Sequence, residues 1–329
     1  MFKFTLTLLV LALPVFASAE NKTQPVVPIR PVNTYSIVAY DSATGQFGAA
    51  VQSHWFKVAN VIWAEPNVGA VATQSLVDFA YGPLGIEMMK LGKTATQALD
   101  GLKASDPNYH VRQVAMIDNR GNVAAHTGDK CIAEAGHQIG HNYSVQANLM
   151  ENPTVPAAMA TAFENAKGDL AERLMVALEA AQAEGGDIRG MQSAAILVVT
   201  GQPTGQSWKD RLVDLRVDDD PEPLVELRRL LDINRAYELM NQGDDFIVEG
   251  KLDKAGQAYA KAAELSPGNM EIIFWHAVTL VTAGEVGRSL PLFKQCFEDN
   301  KGWRTLIPRL VTADILPDDK KVIDKIVGL

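Results

Sequence analysis

The sequence predicts an α+β protein, built as a four-layer αββα sandwich followed by a small all-α domain. Three observations carry that expectation. Strand-like and helix-like segments come in blocks: strands, two helices, strands, two helices, strands. Several strands, such as SIVAY, GAVAT and SAAILVV, are apolar almost throughout instead of alternating, as burial on both faces requires. Beyond about residue 220 the periodic segments are helical. Alanine and glycine recur in the strands, which lets two sheets approach closely, and each sheet would then carry one helix pair on its outer face.

Taken in order, residues 34–40 and 47–53 read as strands joined by DSATGQ, a turn with Asp and Gly suitably placed. GAVATQS, 69–75, reads as the third. Two helical patterns follow, with Leu84, Met88 and Leu91 along GPLGIEMMKLG and Ala95, Ala98, Leu99 and Leu102 along TATQALDGLKA. RQVAMID, the turn NRGN and VAAHT form a hairpin pattern, and YSVQAN returns as a strand after a glycine-rich stretch. Helices are expected at about 154–166 and 169–184, the second capped by Asp169, with Leu170, Leu174, Leu178 and Ala181 on one face. SAAILVVT and LVDLRV close the set.

The flanking regions bound the domain. Residues 1–19 have Lys3 at the start, an apolar run from Leu6 to Ala17, and Ala17 and Ala19 before Glu20, the pattern of a secretory signal. The expected location is therefore secreted, and periplasmic in a Gram-negative source. Residues 20–33 contain three prolines within NKTQPVVPIRPVN and no periodicity, as in a linker or pro-segment. The sandwich is expected over 34–216. Near VDDDPEP a helical domain begins, expected over 221–316, with 317–329 as a C-terminal tail. Counting from Ala236 places Gly243, Phe246, Ala255, Tyr259, Ala262 and Pro267 on the marker positions of a tetratricopeptide-like repeat. Fewer than three repeats do not stand alone, so this array should lean on the first domain through a face such as Leu224, Leu227 and Leu231.

Composition excludes several classes of function. The chain has 329 residues, a formal net charge of −9 and 47% apolar content. It lacks the basic footprint of a nucleic-acid binder and any later run of ~20 apolar residues able to span a membrane. Cys131 and Cys296 lie far apart, and their spacing does not argue for a bridge. HQIGH puts His137 and His141 at the spacing of a helical metal pair, but glycines interrupt it and no glutamate adjoins it, so no metal is expected. There is no phosphate-binding glycine loop, G-x-S-x-G elbow or H-E-x-x-H helix, and no cofactor is implied.

TYSIVAYDSATGQFGAAVQS, VGAVATQS, YGPLGIEMM, RQVAMIDNRGNVAAHTG, YSVQANLM and GGDIRGMQSAAILVV, in this order, resemble the N-terminal-nucleophile (Ntn) hydrolase-related family called domain of unknown function 1028. The resemblance implies an Ntn-like sandwich over about 34–200. It also gives Thr34 two readings: a β-branched residue suited to a strand, or a nucleophile that becomes an N-terminus and uses its own α-amine as general base. By analogy Ser53, His54, Thr73 and Gln74 fall where such enzymes place an orienting group and oxyanion donors. Gln146, Asn148, Asp187, Arg189, Gln192 and Ser193 are further candidates to line the site, with Gln74 and Asn148 the best partners of Thr34. No lysine matches the buried lysine of proteasome-type members, since Lys57 sits in a loop-like stretch. The region beyond 220, ending with KGWRTLIPRL, is similar to a peptidoglycan-binding region that follows this domain in related chains. Two functions are thus expected: an exported hydrolase of amide bonds in a small peptide or related amide, or an inactive Ntn-like fold serving as a periplasmic or cell-wall binding or scaffold module. Peptidoglycan or a protein is the expected partner of the helical region.

Overall fold

A computed structural model describes residues 31–32 and 34–329. The signal-like residues 1–19 lie outside the described residues, as does the 20–33 segment apart from Pro31 and Val32. The described chain is α+β, with two antiparallel sheets. One sheet holds β1 (Thr34–Tyr40), β2 (Phe47–Ser53), β7 (Gly136–Gly140), β8 (Tyr143–Ala147), β9 (Ser193–Val199) and β10 (Arg211–Val217), in the spatial order β10-β9-β2-β1-β8-β7. The other holds β3 (Ile62–Glu65), β4 (Gly69–Ser75), β5 (Arg112–Asp118) and β6 (Val123–Thr127), in chain order.

The strand sequences explain how these sheets stack. Along β1, Tyr35, Ile37 and Ala39 join the apolar cluster that contains Leu170, Leu174 and Leu178, while Val38 joins a second cluster with Ala70, Ala72 and Ala115 of the other sheet. Period-2 alternation therefore feeds two cores at once, and both faces must be apolar. The second cluster lies between the sheets and is rich in alanine, which keeps their separation small. Helices α3 (Val155–Asn165) and α4 (Leu170–Ala183) pack on the six-stranded sheet, and α1 (Tyr81–Lys90) and α2 (Ala95–Ser105) on the four-stranded one. Asp169 caps α4, accepting the Glu172 N–H at 2.7 Å. Thr94 and Gln97 form a reciprocal capping box at the start of α2.

Two strands escape the sequence pattern. β3 has four residues, and β7 is an edge strand with glycine at each end and exposed side chains between. Because His137 lies in β7 and His141 in the turn that follows it, the helical spacing of the two is not realised.

Beyond the sandwich come α5 (Pro223–Val248), α6 (Leu252–Leu265), α7 (Met270–Thr282), α8 (Val286–Asp299), α9 (Lys301–Thr312) and α10 (Lys320–Val327). α5 is one continuous helix of 26 residues that starts well before Ala236. Its first turns dock on the sandwich: Leu224, Leu227 and Leu231 are buried in the same cluster as α4 and β9. Farther along, a Cβ on Gly243 would lie 2.7 Å from the Tyr259 ring, so only glycine lets α5 and α6 approach this closely. Residues 317–329, expected as a tail, instead contain α10, whose Ile326 is fully buried with residues of α7, α8 and α9. Its amphipathic pattern lies so close to the chain end that it reads as a tail. Cys131 and Cys296 are free.

Charged contacts reinforce this junction. Arg228 reaches Glu172 at 2.6 Å and Glu179 at 2.9 Å, and Arg235 reaches Glu172 at 2.8 Å and Asp169 at 2.9 Å. Leu227→Ala is expected to cost about 2–5 kcal/mol in urea unfolding, the range for a buried leucine that leaves a cavity. Burial alone would raise the Glu172 pKa, but hydrogen bonds from Arg228 and Arg235 outweigh it and hold the carboxyl below its ordinary 4.5. A depressed folded-state pKa gives stability that is present above the unfolded value and lost as pH falls through the folded one. Glu172→Gln should therefore lower Tm near neutral pH. The difference from the parent should close in melts taken progressively below pH 4.5.

Candidate functional site

Thr34 opens β1, an interior strand of the six-stranded sheet, and is fully buried. In register it faces Ser53 on one side, which in turn faces Ser193, so three hydroxyl residues form one row across the sheet. On its other side the Asn148 N–H donates to the Thr34 carbonyl at 3.1 Å. The Thr34 hydroxyl donates to the carbonyl of Val32 at 3.1 Å.

Polar side chains replace the apolar core at this end of the intersheet space. The Gln74 amide reaches from β4 across to the Thr34 carbonyl at 3.0 Å, the Gln113 Oε1 at 2.7 Å and the Gln146 carbonyl at 3.3 Å. Its own Oε1 accepts the Ser36 hydroxyl at 2.6 Å. Gln146 donates to Ser36 at 2.6 Å and accepts from Ser144 at 3.0 Å. Asn148 donates to Gln113 at 2.9 Å and lies 3.4 Å from the Thr34 carbonyl. Gln113 in turn donates to the Ala147 carbonyl, the Gly136 carbonyl and the Thr127 hydroxyl at 2.9, 3.1 and 2.9 Å. All these side chains except Thr127 are buried, and within the network the Asn148 Oδ1 has no donor. A buried acceptor left unpaired costs about 1–3 kcal/mol and marks a place where a donor is missing.

Backbone strain surrounds the same residues. Ser75 has φ +69° and Leu149 has φ +57°, in a region that side-chain-bearing residues seldom adopt. Such positions concentrate at functional sites.

The remaining sequence-derived candidates sit nearby in different settings. Thr73, next to Gln74 in the strand, points to the other face and contacts the Asp78 carbonyl at 3.5 Å. Ser193 donates to the Trp55 carbonyl and accepts the Val58 N–H at 3.1 Å, tying a loop to the strand. The Ser53 carbonyl accepts from the Gln192 N–H at 3.1 Å, and the Gln192 side chain donates to Asp219 at 3.0 Å. Asp187 is buried and held by the forked Arg189 guanidinium at 3.0 and 2.7 Å, and by the His54 N–H at 3.4 Å. The His54 ring is exposed. Lys57 is exposed.

The structure thus gathers Thr34, Gln74, Gln146 and Asn148, and adds Ser36, Gln113 and Ser144, which sequence reasoning missed. Their signal is a polar residue at inward parity in an otherwise apolar strand. At the rim, the Thr127 hydroxyl lies 2.8 Å from His137 Nδ1. Burial, helped by His126, lowers the His137 pKa and favours its neutral form.

Three cavities of about 620, 730 and 710 Å³ lie elsewhere, and none is lined by Thr34, Gln74 or Asn148. Among the described residues, no group of three or more His, Cys, Asp or Glu converges as metal ligands. No helix among them is long and apolar enough to cross a membrane.

No curated protein matches the chain. A crystal structure of a DUF1028 protein from Silicibacter pomeroyi is similar, with TM-score 0.55 and 28% sequence identity, over 60% of this chain and 84% of that one. DUF1028, a family of unknown function, matches residues 34–227, which takes in both sheets, the polar network and the first docking turn of α5. With well over half of its length matched, this chain belongs to the DUF1028 family.

Proposed function

We propose that the chain is the precursor of an Ntn-type hydrolase of amide bonds in a small peptide or related amide, in which Thr34 becomes the nucleophile once the residues before it are removed. One observation carries this reading. Thr34 opens an interior strand at the point where the Gln74 and Asn148 amides converge on it, beside a buried acceptor, Asn148 Oδ1, that lacks a donor. A freed α-amine at Thr34 would be the kind of N–H donor that this acceptor lacks.

The chemistry then needs no cofactor. The neutral α-amine, with an unperturbed pKa of about 7.7–8.0 that burial lowers further, takes the hydroxyl proton as Oγ bonds to the substrate carbonyl carbon. The same proton passes to the leaving nitrogen as the C–N bond breaks, leaving an ester on Thr34. Water, deprotonated by the amine, adds to the ester carbonyl, and Oγ departs with that proton to restore the hydroxyl. Secretion to the periplasm and a substrate-positioning or cell-wall role for the tetratricopeptide-like helices belong to the same proposal.

A second reading has its own support. In the unprocessed chain the Thr34 hydroxyl is sealed and bonded to a backbone carbonyl, and Lys57, the lysine weighed as its partner, is exposed. That arrangement suits an Ntn-like fold retained as a binding or scaffold module. A chain released in vitro with Thr34 as its first residue, offered short peptides with fluorogenic amide leaving groups, separates the two. Turnover absent from the unprocessed chain supports the hydrolase. No turnover from a released chain with unchanged circular dichroism favours the binding module.

A further inference from the structure

Val32 is held by the sandwich in the manner of a bound peptide. β3 pairs with β4 only as far as Ala72, so the edge of β4 from Thr73 to Ser75 is not covered by β3. Val32 occupies that edge: its N–H donates to the Ser75 carbonyl at 2.7 Å, and its carbonyl accepts the Ser75 N–H at 2.8 Å, in an isolated antiparallel bridge. The same carbonyl takes the Thr34 hydroxyl at 3.1 Å. The Val32 side chain is fully buried within the apolar cluster between the sheets. Ser75, the partner in this bridge, is the residue with φ +69°. A strained backbone is kept where the surroundings over-determine it, and here it presents one donor and one acceptor to a single extended residue.

We infer that this edge is the acyl-side subsite for substrate, and that Val32 fills it as a stand-in for one residue of an extended peptide. The substrate class is then a peptide that adds a short strand to β4, with a β-branched aliphatic residue immediately before the residue that carries the scissile carbonyl. Main-chain pairing with Ser75 gives affinity and the buried side-chain position gives selectivity, as in strand-addition recognition generally. Proline at that position lacks the N–H that Ser75 accepts, and aspartate would bring an unpaired charge into an apolar core. The placement of the scissile bond rests on Thr34 being the nucleophile; the pairing itself does not.

The test is binding in trans to the full chain carrying Thr34→Ala, so that neither processing nor hydrolysis intervenes. A fluorescein-labelled hexapeptide with the sequence of residues 28–33, PIRPVN, is titrated against this chain and against the same chain with Val32→Asp, which expels the internal segment. Fluorescence anisotropy should show at least tenfold tighter binding to the Val32→Asp chain. Methylating the valine nitrogen of the peptide, or replacing that valine with aspartate, should weaken binding at least tenfold. Equal, weak binding by both chains with unchanged circular dichroism, or indifference to N-methylation, overturns the inference. If the aspartate variant does not fold, Val32→Gly serves, since it vacates the side-chain position without adding charge. Peptide binding without any hydrolysis by the released chain removes the catalytic reading and leaves the subsite, whereas hydrolysis without valine selectivity does the reverse.

Discussion

In a chain released in vitro to begin at residue 34, Thr34→Ala is expected to abolish the proposed amide hydrolysis, with a loss of about 10⁴–10⁶-fold in kcat, the scale seen when a nucleophile that acts as a unit with its base is removed. Thr34→Ser retains a substantial fraction, because the hydroxyl and the α-amine both survive. Folding is nearly indifferent to either change. In the unprocessed chain the hydroxyl makes one hydrogen bond, to the Val32 carbonyl, and its loss costs about 1 kcal/mol. Initial-rate assays with equal circular dichroism across the three proteins check this. An alanine variant as active as its parent removes Thr34 from the chemistry.

The second large effect concerns Gln74, which stitches the two sheets together. Gln74→Leu keeps the volume roughly constant but strips a donor from the Thr34 carbonyl, the Gln113 Oε1 and the Gln146 carbonyl, and an acceptor from Ser36. Asn148 still serves the first two, through its backbone N–H and its side-chain amide respectively. The Ser36 hydroxyl keeps the Gln146 amide as a donor but needs a new acceptor. Leaving such groups unpaired costs about 1–3 kcal/mol each, so a total of about 3–5 kcal/mol is expected in urea unfolding. Activity should fall with it, since the Thr34 backbone loses the amide that crosses from the facing sheet. A change under 1 kcal/mol would mean that the network rearranges freely and does not fix Thr34.

Much of the two-sheet α+β core was legible because burial on both faces leaves a plain mark, as in SIVAY and SAAILVV. β3 and β7 carried no such mark: the first is four residues of intermediate burial, the second an exposed edge bounded by glycines. At the site, Gln74, Gln146 and Asn148 were visible as amides in or beside apolar strands. Ser36 and Gln113 carried the same signal at the same parity and were passed over. Thr73 was grouped with Gln74 by adjacency, although neighbouring residues in a strand must face opposite ways. The part played by Val32 was hidden because a single bridging residue in a proline-rich stretch has no periodicity to read. The docking face of α5 was legible from the spacing of Leu224, Leu227 and Leu231, whereas its length was not, since Gly243 interrupts the helical pattern while the helix runs on to Val248.

The central claim is that Thr34 acquires a free α-amine. N-terminal sequencing and intact mass of the protein recovered from the expressing cells test it most directly. The account predicts a chain that begins at Thr34, and its absence when Thr34 is replaced by alanine, because the hydroxyl of Thr34 must attack the Asn33 carbonyl for the segment to be released. A uniform start at Glu20, the same in the parent and in Thr34→Ala, would contradict it.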